Sequence, residues 1–229
     1  MSVLFESPFF GAALTILAYW IGVKLQQKTR LVIFSPMLIA VLLIIGILVV
    51  FHIPYEAYYA GGSLINLFLA PATACLAVSI YAKLDLLKAY WLPVLAGCLV
   101  GVATSIGCVL ALCRLFGLDR QMVMSLLPKS VTTPIAAAVA ESNGGIVPVA
   151  VAAVIVTGTF GNLLSPFLLR LFRIKEPIAA GLGIGAASHA MGTARAMEIG
   201  ETEGAMSGLA MGLCGMMTAL AALFFGLLA

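Results

Sequence analysis

The sequence predicts an all-α polytopic membrane protein, and three observations carry that prediction. Of its 229 residues 63% are hydrophobic and only 9% charged, whereas soluble domains carry about 25% charged residues. The apolar residues form continuous runs near the length needed to cross roughly 30 Å of hydrocarbon, about 20 helical residues. Runs such as "VLLIIGILVV" (41–50) lack the period-two alternation of a transmembrane β-strand. The net charge of +3 is small and spread along loops, so no nucleic-acid partner is expected.

Six runs are expected to span, at about 4–23, 31–51, 61–81, 89–113, 146–169 and 205–228. Two further segments, 120–143 and 178–203, are semi-polar and interrupted. Cleavable signal peptides begin with positive charge. Here the only charge near the start of the first run is Glu6, and the run is therefore expected to stay as a span. Positive residues mark the cytoplasmic side. Lys24, Lys28 and Arg30 separate the first two spans, Lys83 and Lys88 the third and fourth, and Arg170, Arg173 and Lys175 follow the fifth. The stretch 52–60 carries Glu56 and no Lys or Arg, and is expected outside. Placing 24–30, 81–88 and 170–175 inside makes 120–143 begin and end on one face, as a re-entrant hairpin. The expected domains are a four-helix scaffold, 1–114, and a core of two broken-segment-plus-helix repeats, 115–229.

The interrupted segments echo one another. "KSVTTPIAAAVAESNGG" begins at Lys129 and "HAMGTARAMEIGETEGA" at His189, sixty residues on. Thr133, Ala136, Glu141 and Gly144 recur in step as Thr193, Ala196, Glu201 and Gly204, and Val139 matches Ile199. Chance similarity in Ala/Gly-rich sequence is the alternative. If both segments are re-entrant, each unit crosses once and the two units form an inverted repeat. Paired interrupted segments in inverted halves point to a transporter's central site.

Local chemistry explains each break. Asp119 can cap a helix beginning at Arg120. Pro128 ends it, because proline has no N–H and disfavours helix in the residue before it. Thr133 is expected to cap the next half-helix, with Pro134 first inside it, and "NGG" stops it. Each half of about eight residues spans roughly 12 Å, so the break reaches near mid-membrane. In the second segment the helix is expected to run to about Ala190, "MG" to interrupt it, and Thr193 to cap a half-helix carrying Arg195, Glu198 and Glu201.

Irregular backbone at that depth survives only inside protein or beside a water-filled cavity. Free amides and the positive helix end then favour an anion, by about 0.3–2 kcal/mol. Lys129 adds a full charge, and Ser130, Thr132 and Thr133 add hydroxyls. Lys129 could instead snorkel or pair with a glutamate. Arg195 could bind the anion or pair with Glu198, three residues on. His189 could be an interior hydrogen-bonded histidine or, with a reference pKa of about 6.5, a proton-coupling group. Asn66 and Asn162 are intramembrane and either bridge helices or line the cavity. The five cysteines are scattered with no metal-ligand spacing. No metal or cofactor is expected. Neither is catalysis: Ser188 and His189 are adjacent, and helical neighbours point in different directions.

"LLPKSVTTPIA" and "SHAMGTARAMEIGETEGAMSGLAMGL" resemble the two signature regions of the LrgB/CidB family of bacterial membrane proteins, and the whole chain is similar to an enterobacterial member of it. The resemblance implies a multi-pass protein of the bacterial inner membrane. Bacterial members were named holin-like or antiholin-like, as modulators of murein hydrolase activity and lysis, and usually accompany a small LrgA/CidA-type membrane partner. Similar plastid proteins exchange glycolate and glycerate, and some bacterial relatives are linked to pyruvate uptake.

The expected function is alternating-access transport of a small monocarboxylate of the glycolate, glycerate, lactate or pyruvate class. The expected substrate-binding residues are Lys129, Ser130, Thr132, Thr133, Ser188, His189, Thr193, Arg195, Asn66 and Asn162, with coupling or ion pairing at His189, Glu141, Glu198 and Glu201. The alternative is a holin- or antiholin-like oligomer. Expected partners are the lipid bilayer, the LrgA/CidA-type protein and further copies of the chain in a homo-oligomer.

Overall fold

The computed structural model describes residues 7, 9–29, 36–68, 71, 81 and 84–227. Every regular element among these residues is helical, as the composition predicts. The chain divides into two units, Met1–Val78 and Ser79–Ala229.

The first unit holds α1 (Phe10–Thr29), α2 (Pro36–Val50) and α3 (Tyr55–Asn66). Helix α1 continues past the expected end of the first span, through Lys24 and Lys28. The residues "KLQQK" are all good helix formers, and the Lys24 ammonium lies 5.8 Å from the Trp20 ring centroid, a cation–π contact. Small residues let the helices approach. A Cβ at Gly11 would collide with the Tyr58 carbonyl. The Thr15 hydroxyl donates to the Gly11 carbonyl at 2.7 Å and lies 2.9 Å from the Tyr58 hydroxyl. Ala18, Ala40 and Ile44 form the buried centre. The expected third span begins within α3, and most of its remainder lies outside the described residues, as does the Asn66 side chain.

The second unit holds α4 (Leu84–Leu115), α5 (Arg120–Leu126), α6 (Thr133–Ser142), α7 (Val147–Leu171), α8 (Pro177–Ile199), α9 (Glu201–Ala222) and a closing 3₁₀ turn, Phe225–Leu227. Among the described residues, Lys88–Leu115, Val147–Leu171 and Glu201–Ala222 are long and apolar enough to cross a membrane. They match the expected fourth, fifth and sixth spans. Helix α4 kinks at Tyr90 (φ −122°, ψ 24°), three residues before Pro93, whose ring removes a backbone hydrogen bond and crowds the preceding turn.

Helix α4 packs within the second unit. Val94, Cys98 and Val102 pack with Met206, Leu209, Ala210 and Cys214. Further along, Val109 and Cys113 pack with Ala222 and Phe225. Early residues meet early residues and late meet late, so α4 and α9 run parallel.

Between them the chain doubles back twice. Arg120 at the start of α5 donates to the Gly226 carbonyl at 3.4 Å. Ser130, in the break, bonds Ser105, ten residues or about 15 Å back along α4 from Leu115. Helix α6 then returns: Ile135 lies against Gly215, and Val139 joins the cluster around Phe225. In α8, Gly181 abuts Glu203 and Gly185 abuts Ser207. Beyond the apex the order reverses, with Thr193 bonded to Ser207 and Met197 against Gly204. The two arms, 177–188 and 190–199, therefore run antiparallel along α9, and the turn falls at His189.

Helix ends are closed by a shared device. After α4, α6 and α7 the chain enters the left-handed region at Gly117 (φ +63°), Gly144 (φ +76°) and Arg173 (φ 54°). The following amides bond back to the Cys113, Ala140 and Leu169 carbonyls at 2.9, 2.7 and 2.9 Å, the Schellman pattern. In the first unit His52 (φ 53°) ends α2 the same way.

Candidate functional site

The first break forms as its residues dictate. The Asp119 carboxylate accepts the Met122 N–H at 2.9 Å, capping α5. After Leu126 the Lys129 and Val131 amides bond the Leu126 and Pro128 carbonyls at 3.1 and 3.3 Å, two tight turns around Pro128. Helix α6 starts one residue earlier than expected. Thr132, extended at φ −67° and ψ 150°, is the cap residue, and Pro134 stands second in the helix. The Thr132 hydroxyl makes no capping bond. The Thr133 and Ile135 amides have no acceptor among the described residues, so the positive end of α6 is bare.

The second break differs from expectation. The interruption is at His189 (φ 43°, ψ −138°), not at Met191–Gly192. A residue with a Cβ is strained there by about 1–3 kcal/mol, and surrounding contacts must hold it. The imidazole Nε2–H donates to the Val154 carbonyl at 3.0 Å; a carbonyl only accepts, which fixes the tautomer. The ring packs where Gly158 of α7 has no side chain. Gly192 is helical, and its small size lets the arms touch at Ile184 and Ser188. Thr193 does not cap the return arm. Its hydroxyl donates to the His189 carbonyl at 2.9 Å and lies 2.9 Å from Ser207 Oγ. Glu201 opens α9 rather than ending the half-helix.

The breaks meet around α7. Val131 packs with Ala136 and Val154, and the Val154 carbonyl holds His189. One residue of α7 thus touches both interruptions.

Between α4 and the 177–188 arm lies an open cavity of about 950 Å³. Gly97 packs beside Leu182 and Gly101 beside Ala186 along it. Lys129 and Ser130 line its inner end together with Thr104, Ser105 and Cys108 of α4. Tyr90, Pro93 and Glu176 line the other end. Lys129 is half-buried. Its ammonium donates to Ser130 Oγ at 3.1 Å, and no carboxylate of the described residues lies within ion-pair distance of it. A half-buried cation without a counter-charge is costly, and an anion in the cavity would relieve that cost.

The remaining expected residues take other places. Thr132 and Thr133 begin α6. Ser188, His189 and Thr193 are buried at the hairpin apex. Arg195 pairs with Glu198, while its Nε is buried without a partner. Asn162 donates to the Met191 carbonyl at 2.8 Å, tying α7 to the return arm. Glu141 is exposed at the end of α6. Asn66 belongs to the first unit. No group of three His, Cys, Asp or Glu suited to a metal occurs among the described residues.

Thr104, Ser105, Cys108 and Glu176 are absent from the sequence-based set. Hydroxyls in "VATSIGC" (102–108) are a weak signal in the sequence, because serine and threonine in an apolar helix commonly bond their own backbone. Their role emerges only when Ser130, twenty-five positions later, is placed beside Ser105.

The LrgB-like family profile matches residues 15–227. Over 213 residues the chain is 37% identical to "Uncharacterized protein YxaC" of Bacillus subtilis, covering 93% of this chain and 91% of that protein. It is 38% identical to proteins named "Antiholin-like protein LrgB" from Bacillus mycoides and Bacillus cereus, covering 93% of each chain. No solved structure matches.

Proposed function

The chain belongs to the LrgB-like family, and from that premise and the geometry of the breaks we propose that it transports a small monocarboxylate across the membrane by alternating access. The carrying observation is Lys129: a cation without a counter-charge, on a helix break, in the wall of an open cavity. A single carboxylate suits a single ammonium with neighbouring hydroxyls. Arg195, Thr193, Ser188 and Asn162 would form the other side of the site once the return arm moves, and His189 would couple movement to protons. Glu141, Glu198 and Glu201 would serve in coupling or ion pairing.

An inverted repeat is part of the proposal. It is supported by the opposite openings of the hairpins. The pair α5–α6 returns to the level of Phe225, whereas the arms of α8 both start and finish beside Glu203 and Gly204. Each is followed by one long apolar helix. Six spans, residence in the bacterial inner membrane, a homo-oligomer and an LrgA/CidA-type partner complete the proposal.

The test is uptake of labelled glycolate, lactate and pyruvate into proteoliposomes. Saturable uptake, reduced at least a hundredfold by Lys129→Ala, is expected, with Arg195→Ala also impaired. A pH-gradient dependence lost in His189→Gln is expected for proton coupling. The names of the relatives favour a second reading, control of lysis as an antiholin-like protein. Dye leakage independent of solute size, and indifferent to Lys129→Ala, would support that reading and overturn transport.

A further inference from the structure

Ser130 Oγ receives two hydrogen bonds, from Ser105 Oγ at 2.9 Å and from Lys129 Nζ at 3.1 Å. A hydroxyl has two lone pairs and one proton. With both lone pairs engaged, the proton must seek a third atom, yet Ser130 donates to no acceptor among the described residues. Ser130 is 9% exposed, so bulk water is a poor substitute. The lysine ammonium beside it also has N–H groups to spare. Two convergent donors that lack an acceptor are suited to the two oxygens of one carboxylate.

The rest of the cavity is of different chemistry. Pro93, Val100, Ile178, Leu182 and Ala186 form its walls, and among the described residues Lys129 is the one lysine or arginine that lines it. Its carboxylate, Glu176, lies near the Tyr90 end, because Gly97 and Gly101 face Leu182 and Ala186 and the same register continues to Glu176. Tyr90 is fifteen residues from Ser105, about 22 Å along a helix. A second carboxylate on the ligand would therefore find no cation and would approach Glu176. The volume, about 950 Å³, greatly exceeds a two- or three-carbon acid, since a water occupies about 30 Å³.

We infer that Lys129, Ser130 and Ser105 form a carboxylate subsite shared by the break and α4, and that it holds monocarboxylates with an apolar chain of four or more carbons more tightly than two- and three-carbon acids. Ser105 is a positioning residue: it holds Ser130 so that the Ser130 proton faces the ligand. The inference rests on the transport proposal for its biological setting, but the binding it describes is separable from movement.

Cys108 provides a native reporter, because it lines the cavity while Cys98, Cys113 and Cys214 are buried. In purified protein carrying Cys75→Ser, the rate of maleimide labelling at Cys108 is measured against pyruvate, 2-oxobutanoate, 2-oxohexanoate and succinate. The expected protecting concentration falls about fourfold per added methylene, with no protection by succinate or by the uncharged 2-hexanone. Lys129→Ala should abolish protection. Ser105→Ala should raise the protecting concentration about tenfold, and Ser105→Thr should restore it. Protection that is flat along the series, best with pyruvate, or unchanged in Ser105→Ala and Lys129→Ala would overturn the inference. Protection without uptake in proteoliposomes would sink the transport proposal alone; uptake without protection would sink this subsite alone.

Discussion

His189 shows what one side chain contributes at a backbone position that disfavours it. At φ 43° and ψ −138° a glycine would be at ease. The imidazole instead supplies a hydrogen bond to Val154, worth about 1 kcal/mol net, and fills the space opposite Gly158. His189→Gly loses the bond but relieves the strain, whereas His189→Ala loses the bond and keeps the strain. The glycine variant is expected to be more stable than the alanine variant by about 1–2 kcal/mol, measured by thermal unfolding in detergent. Equal stabilities would show the backbone there to be unstrained. Nothing in "ASHAMG" marks that histidine as the apex. Glycine at 192 is the stronger local signal for a break, and it misplaces the interruption, because small size is used there for arm-to-arm contact rather than for conformation.

At the scale of elements, the two hairpins differ in how openly the chain announces them. The first is written in local chemistry: an aspartate cap, a proline stop, and a second proline two residues inside the next helix. Each acts within a few residues, so the break could be read to within one position. The second depends on contacts far along the chain, with Val154, Ser207 and Asn162, and only its existence was legible. The Asp119 cap gives a direct test. Asp119→Ala is expected to destabilise the unit by about 1 kcal/mol and Asp119→Asn much less, seen as a lower thermal midpoint and faster exchange of the α5 amides. An Asp119→Ala protein with unchanged exchange would mean that α5 is held by packing alone.

At the scale of the whole molecule, composition and run length identified an all-helical membrane protein and found the three long helices of the second unit. The partner of α4 is not legible in the sequence, because α4 is uniformly apolar and only its packing against α9 reveals its company. The paired cavity hydroxyls were hidden for the same reason. Doubling back predicts a pattern of access. Single cysteines at Leu118 and Gly144 are expected to react with a membrane-impermeant maleimide from one side, and those at Lys175 and Gly200 from the other. A site at Gly144 labelled from the same side as Lys175 would mean that 120–143 crosses.

The parallel course of α4 and α9 has a simple parity behind it. In the proposed topology two hairpins return to the face they left, so they add chain without adding crossings. Only α4, α7 and α9 count, and three is odd. A reporter fused beyond Leu227 should therefore fall on the opposite side of the bilayer from Leu84. Deleting either hairpin with its following helix would put both ends on one side.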